Sequence, residues 1–165
     1  MEFKPWPKIT RIENKRKPIF TEKIDGTNSC IVIQDGNIWC QSRNRFITPD
    51  DDNYGFAGWV HRNKEEILQL GNGHHFGEWW GLGIGRVYDQ PVKRFSLFNT
   101  RRWTEIHQLP AIISVVPILP VSTVEEARQY LIDNGSVVAP GFKRPEGAVM
   151  YEPDTDTCFK IIIDK

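Results

Sequence analysis

The sequence predicts an α+β fold, and three observations carry that reading. Runs of β-forming residues recur along the chain, among them Cys30–Ile33, Ile38–Arg43, Arg94–Asn99 and 109–121. An Asp35-Gly36 pair sits between two apolar runs, a strong hairpin signal. Two segments with helical spacing, Tyr54 to Leu70 and Thr123 to Asn134, lie between the strand-rich stretches. With 165 residues the chain has the length for one domain with a real core, and a single domain over 1–165 without an appended one is expected.

Composition narrows the class. Hydrophobic residues are 39% and charged residues 25%, as in a soluble globular protein. The formal net charge is zero, so any nucleic-acid surface must be a local patch. No run approaches the ~18 apolar residues of a membrane span, and no leader resembles a signal peptide. A cytoplasmic monomer is the expectation. Cys30, Cys40 and Cys158 are odd in number and lack C-x-x-C spacing, which argues for reduced, partly buried thiols and against a disulfide framework or structural zinc.

The elements follow in order. Residues 1–19 interleave Lys4, Lys8, Arg11, Lys15, Arg16 and Lys17 with Phe3 and Trp6, and Pro5, Pro7 and Pro18 preclude a long helix. This stretch is either a solvated arm or a phosphate-contacting surface. If Phe20 to Asp25 is extended, Lys23 and Asp25 share one face, and Gly26 lets the backbone approach a ligand or take a positive φ. Cys30–Ile33 and Ile38–Arg43 form the hairpin, which carries Arg43 back towards Lys23; Arg45 competes with it two residues on. Asp50-Asp51-Asp52-Asn53 is an acidic cap for the helix expected over Tyr54–Leu70.

His74 and His75 alternate on a strand and cannot both face one metal. Gly81, Gly83 and Gly85 have the wrong spacing for a dinucleotide fingerprint and read as a loop. Arg94–Asn99 alternates as a half-buried strand. Residues 109–121 are β-rich scaffold. Ser122-Thr123-Val124-Glu125 fits a capping box, and Gly135 closes the helix it starts.

The chemistry lies in Glu22-Lys23-Ile24-Asp25-Gly26-Thr27-Asn28. K-x-D-G resembles the motif that opens the covalent nucleotidyltransferases, and Asn28 with the later motifs makes the chain most similar to an ATP-dependent RNA ligase. Ser42-Arg43-Asn44 stands twenty residues on, as that family's arginine element does. Gly77-Glu78 resembles its third motif, Arg144-Pro145-Glu146-Gly147 its fourth and Phe159-Lys160-Ile161 the start of its fifth. The resemblance spans residues 20–163. It implies a nucleotidyltransferase core, ATP-grasp-like, with antiparallel sheets enclosing the nucleotide and helices outside.

The resemblance also assigns roles. Lys23 is the nucleophile that carries AMP, and Glu22, Asp25, Gly26 and Asn28 belong to the nucleotide site around it. Arg43 contacts ribose or phosphate, Glu78 accepts a hydrogen bond from the ribose, and Phe98 stacks on adenine. Phe98 alone reads equally well as a core residue. Glu146 binds Mg²⁺ or Mn²⁺, and Lys160 contacts the α-phosphate. ATP is the cofactor, and the partners are RNA ends or a nicked duplex. A self-adenylylating module that seals poorly and a minimal DNA ligase core are the alternatives. Because a lysine of ordinary pKa is protonated at neutral pH, cations are expected around Lys23.

The chain departs from the family at Ile162, where relatives carry a second lysine. Either the site does with fewer cations, or Ile162 packs in the core and Lys165 or the basic arm supplies the charge.

Overall fold

A computed structural model describes residues 1–104 and 108–163. The fold is α+β. Strands β1 (Ile19–Lys23), β2 (Thr27–Gln34), β3 (Asn37–Ser42) and β4 (Phe46–Ile47) are followed by helices α1 (Phe56–Arg62) and α2 (Lys64–Ile67). Then come β5 (Gly73–Gly81), β6 (Lys93–Leu97), β7 (Ile113–Val115), α3 (Val124–Asn134), β8 (Gly147–Glu152) and β9 (Thr157–Ile162). They make a three-stranded sheet, β1-β8-β9, and a six-stranded sheet, β4-β3-β2-β5-β6-β7. Pairing is antiparallel except between β6 and β7, which run parallel.

The β2–β3 hairpin forms as its sequence demands. Asp35 and Gly36 both take positive φ, 51° and 82°, the two-residue turn whose twist matches the flanking strands. The expected helix over Tyr54–Leu70 is broken. α1 stops at Arg62, where the Asn63 side chain donates to the Trp59 carbonyl at 2.8 Å and competes with the helical ladder. A short α2 and a 3₁₀ turn, Leu68–Leu70, complete the segment. The acidic cap works through Asp52, whose carboxylate accepts from the Ala57 and Gly58 amides at 2.8 and 2.9 Å. The capping box is one residue later than the sequence suggests: Thr123 accepts from the Glu126 amide, and Glu126 accepts from the Ser122 amide.

Each sheet has its own apolar packing. Ile31, Phe56, Val60, Trp79 and Phe95 pack the large sheet against α1, all essentially inaccessible to solvent. Phe20, Ala148 and Ile161 of the small sheet pack against Ala127 and Leu131 of α3. A third cluster, Ile24, Trp80, Tyr88, Val116 and Phe142, lies where β1 leads into β2. Burying side chains of this size stabilises by roughly 1.5–3 kcal/mol each.

Candidate active site

β1 ends at Lys23, and the chain bends through Asp25 and Gly26 before β2 starts in the other sheet. That crossing places the two sheets around a cavity of about 550 Å³. Ile19, Thr21 and Lys23 line it from β1, Val149 and Tyr151 from β8, and Cys158 from β9. Asn28, Arg43, Glu78 and Phe98 line it from the large sheet. A cleft of about 640 Å³ elsewhere is larger, but Trp79, Phe95 and Ile113 line it from the sheet face opposite Asn28 and Glu78. It holds none of the motif residues, so size alone does not locate the chemistry.

Lys23, which lines the cavity, donates to Glu146 Oε2 at 2.9 Å, and both side chains are partly exposed. Two motifs 123 residues apart in sequence therefore meet at one ion pair. The expectation of a lysine ringed by cations is corrected: its direct partner is a carboxylate.

Arg43 stands where the sequence reading places it, just past β3. With the Asn28 amide oriented by its surroundings, its oxygen accepts from Arg43 Nε at 3.1 Å and Nη2 at 3.2 Å. Arg45, the competing candidate, does not line the cavity; it pairs with Asp51 at 3.0 Å and donates to the Asp51 and Asp52 carbonyls. Asn28 and Glu78 are direct cross-strand partners, so Arg43, Asn28 and Glu78 form one polar row on the cavity face.

Glu78 is 8% exposed, and burial pushes its carboxyl up to about 8. The charge of Lys23 opposes that rise, Glu146 and Asp25 add to it, and Arg43 opposes it less strongly than Lys23. Phe98 follows β6, with its amide held by the Phe76 carbonyl at 3.0 Å and its ring 41% exposed into the cavity. Its exposure answers the alternative of a core phenylalanine. Val149 lines the same cavity from the other sheet.

Three expectations need correction. Glu22 reaches the cavity wall, yet its side chain is 1% exposed and turned the other way. Its carboxylate accepts from Ser136 Oγ at 2.7 Å and from the Val137 and Val138 amides at 2.6 and 2.9 Å. Asp25 does not continue the strand beside Lys23; its carboxylate pairs with Arg86 at 3.5 Å, and its amide donates to Tyr88 Oη at 2.8 Å. Gly26 does not take a positive φ and does not line the cavity. A Cβ there would collide with the Trp79 carbonyl and approach Trp80 Cβ to 2.8 Å, so glycine is required by the close passage of β5.

Lys160 is exposed on the cavity face of β9, directly opposite Val149, but outside the cavity lining itself. Ile162 is 36% exposed on that same face and is not a core residue. Lys165 lies outside the described residues.

Sequence reasoning missed several wall residues. Ile19, Thr21, Val149 and Tyr151 follow from the period of two set by Lys23 and Gly147 and were available to it. Arg101 was not, because it comes from the loop after β6. Its guanidinium donates to Tyr151 Oη at 2.8 Å, which in turn donates to Asp156 at 2.7 Å, closing the cavity end remote from Lys23. His75 is structural, its ring nitrogen donating to the Gly71 carbonyl at 2.7 Å. The thiols of Cys30 and Cys40 are free and buried, pushed up by desolvation to about 11 and about 12.

Two largely antiparallel sheets around a cavity, with a lysine–glutamate pair beside it, make an α+β domain. The chain belongs to the RNA ligase family, whose characteristic sequence matches residues 16–162. Solved structures of Naegleria gruberi RNA ligase are similar. One with PPi is 26% identical with a TM-score of 0.66, covering 91% of this chain and 50% of that one. A mutant with ATP and Mn shares the fold at 24% identity and a TM-score of 0.63, with the same coverage. Another mutant, with AMP and Mn, is alike at 24% and 0.63. The chain thus spans about half the length of that ligase. No curated protein matches it. Among the described residues no helix is long and apolar enough to cross a membrane.

Proposed function

We propose that the protein is an ATP-dependent RNA ligase that adenylylates itself on Lys23. The observation that supports this best is Lys23, paired with Glu146 at 2.9 Å, on the wall of a cavity also lined by Asn28, Arg43, Glu78 and Phe98. Naegleria ligase structures with ATP and Mn, with AMP and Mn and with PPi fit a substrate, a product and a leaving group of such a reaction.

In the first step Lys23 Nζ attacks the α-phosphorus of ATP. A P–N bond forms, the bond to the bridging oxygen breaks, and pyrophosphate leaves while the amine loses its proton. In the second, an oxygen of an RNA 5′-phosphate takes the AMP, and the P–N bond breaks. In the third, a 3′-hydroxyl attacks that 5′-phosphate, the new phosphodiester forms, and AMP leaves.

The residues fit Mg²⁺ or Mn²⁺ brought in with the nucleotide. No cluster of three ligating side chains exists among the described residues. Such ions are commonly held by one or two carboxylates with substrate phosphates, and Glu146 supplies a partly exposed carboxylate at the lysine. When bound, a divalent ion neutralises polyphosphate charge.

The remaining groups act as positioning elements. Glu146 holds Lys23 in place until the nucleotide enters. Arg43, oriented by Asn28, offers its remaining N–H groups to ribose or phosphate. Phe98 and Val149 close on the two faces of the base. Glu78 takes the ribose. Positioning and electrostatics carry most of the rate in phosphoryl transfer.

The test is covalent labelling. α-Labelled ATP with Mg²⁺ should leave AMP on the purified protein, and Lys23→Ala should abolish the label while the protein stays folded. Label persisting in that variant would move the nucleophile elsewhere. Sealing is scored separately with single-stranded and nicked RNA. Label without sealed product would favour a self-adenylylating module, and equal sealing with a DNA 3′-hydroxyl strand would favour a DNA ligase core.

A further inference from the structure

Residues 1–18 run outside both sheets with no strand or helix except a 3₁₀ turn, Ile12–Asn14. Four large apolar side chains on this arm stand free of the protein: Phe3 is 91% exposed, Trp6 95%, Ile9 92% and Ile12 77%. Side chains of this kind are normally covered, and contiguous exposed ones mark an interaction surface. Charge says what kind. Of the chain's 21 cations and 21 carboxylates, six and two lie in residues 1–19, so the arm carries a net +4 and the remainder −4. The arm is thus the cationic part of an otherwise acidic molecule, and its aromatics alternate with lysines.

The arm is tied down at its inner end. Arg16 donates from Nε and its amide to the Asp154 carboxylate at 2.9 and 3.1 Å, and from Nη2 to the Pro153 carbonyl at 2.8 Å. Asp154 lies in the β8–β9 turn, whose neighbours Tyr151, Asp156 and Cys158 line the nucleotide cavity. The anchor is at the cavity end remote from Lys23. Beyond it some fifteen residues reach about 50 Å when extended, and Pro5 and Pro7 keep them from coiling into a helix.

We propose that residues 1–15 grip single-stranded RNA running away from the reacting end, with Phe3 and Trp6 stacking on bases and Lys4, Lys8 and Arg11 pairing with phosphates. Stacking on an aromatic is indifferent to base identity, and phosphate pairing is salt-dependent, so the grip reads a strand and not a sequence. This rests on the ligase reading and adds a surface used only in the two steps that involve RNA.

The test uses the full chain, the double variant Phe3→Ala/Trp6→Ala and the triple variant Lys4→Gln/Lys8→Gln/Arg11→Gln. Binding of a short fluorescent, 5′-phosphorylated single-stranded RNA is followed by anisotropy over a range of salt. AMP labelling is measured in parallel without RNA. Both variants should bind RNA about tenfold or more weakly. The triple variant should also lower the log–log salt slope by about 2, and the aromatic variant should leave it unchanged. AMP labelling should equal wild type in both. RNA affinity unchanged in both variants, as when the aromatics cover a protein, overturns the proposal. So does a loss of AMP labelling that parallels the loss of RNA binding, since the arm would then be supporting the fold. A wild-type chain that takes no label but loses RNA binding in the variants defeats the ligase reading and leaves the arm's role standing.

Discussion

The two sheets divide the work of the cavity unequally. The six-stranded sheet is packed against α1 through Ile31, Phe56, Trp79 and Phe95 and presents Arg43, Asn28, Glu78 and Phe98. The three-stranded sheet presents Lys23 and, at the start of β8, Glu146, and its outer strand β9 leaves Cys158, Phe159 and Lys160 exposed. On the function proposed above, recognition groups sit on the heavily packed sheet and the reacting group on the thin one, joined by the bend at Ile24–Gly26. Substitutions on the thin sheet should change chemistry with little effect on stability. Those on the thick sheet should change nucleotide affinity, and at buried positions stability as well.

The largest effect should come from Glu146. Replacing it with glutamine keeps its shape and removes its charge. AMP labelling should fall by roughly 100-fold or more, the scale of several kcal/mol lost at a charged transition state. The pair it makes with Lys23 is partly exposed, so the loss in melting stability should be within about 1 kcal/mol. A folded Glu146→Gln that labels like wild type would reduce Glu146 to a structural partner. Phe98→Ala, on the thick sheet, should weaken apparent ATP affinity about tenfold, and Phe98→Leu should lose less because it keeps part of the stacking area. Unchanged affinity in Phe98→Ala would place the base elsewhere in the cavity.

Glu78 tests the other half of the comparison through pH. Its carboxyl is raised from 4.5 to about 8 chiefly by burial, so the folded protein holds this proton more tightly than the unfolded chain. Stability then falls as pH rises from about 4.5 to about 8, by an amount on the order of a few kcal/mol. Glu22 is raised for the same reason and adds a slope of the same sign. Thermal melts of the nucleotide-free protein across this range should show the decline, and Glu78→Gln should flatten it without abolishing it. An equal slope in the variant would assign the whole decline to Glu22.

Much of this was legible in the chain because it is local. The Asp35-Gly36 turn, the period-two faces and the α3 cap depend on neighbours in sequence. Lys23, Arg43, Glu78 and Phe98, spaced along the chain, all line the cavity, whereas Glu146 stands beside Lys23 and Lys160 lies outside the lining. What was not legible depends on contacts across the fold. Lys23 meets Glu146 only because β1 and β8 pair, with Lys23 opposite Gly147. Glu22 turns to the 136–138 loop, Asp25 turns to Arg86, and Gly26 answers to β5; none of these partners lies near in sequence. The break at Asn63 was missed because helical spacing of apolar residues persists across it.

Ile162 offers the finest test of the division between the sheets. Cross-strand pairing sets Lys23 opposite Gly147 and Gly147 opposite Ile162, so the three form one row across the thin sheet. Gly147 has no side chain, and nothing on it stands between the other two. Ile162 shares its face with Lys160 and is 36% exposed, whereas its neighbour Ile161 is 5% exposed on the core side. A lysine at 162 would therefore place an ammonium towards the phosphate end of the cavity without burying it. Exposed substitutions of this kind change stability by about 0.5 kcal/mol or less. The basic arm is anchored at the turn end of β8–β9, away from the Gly147–Ile162 row. With phosphate charge better balanced, Ile162→Lys should reach half-maximal AMP labelling at a severalfold lower Mg²⁺ concentration, the scale of ~1 kcal/mol for a charge pair near the surface. The measurement is Mg²⁺ dependence of Lys23 labelling together with the melting temperature of the same variant. An unchanged Mg²⁺ requirement at unchanged stability would show that position 162 does not see the phosphates, and that the thin sheet acts through Lys23 and Glu146 alone.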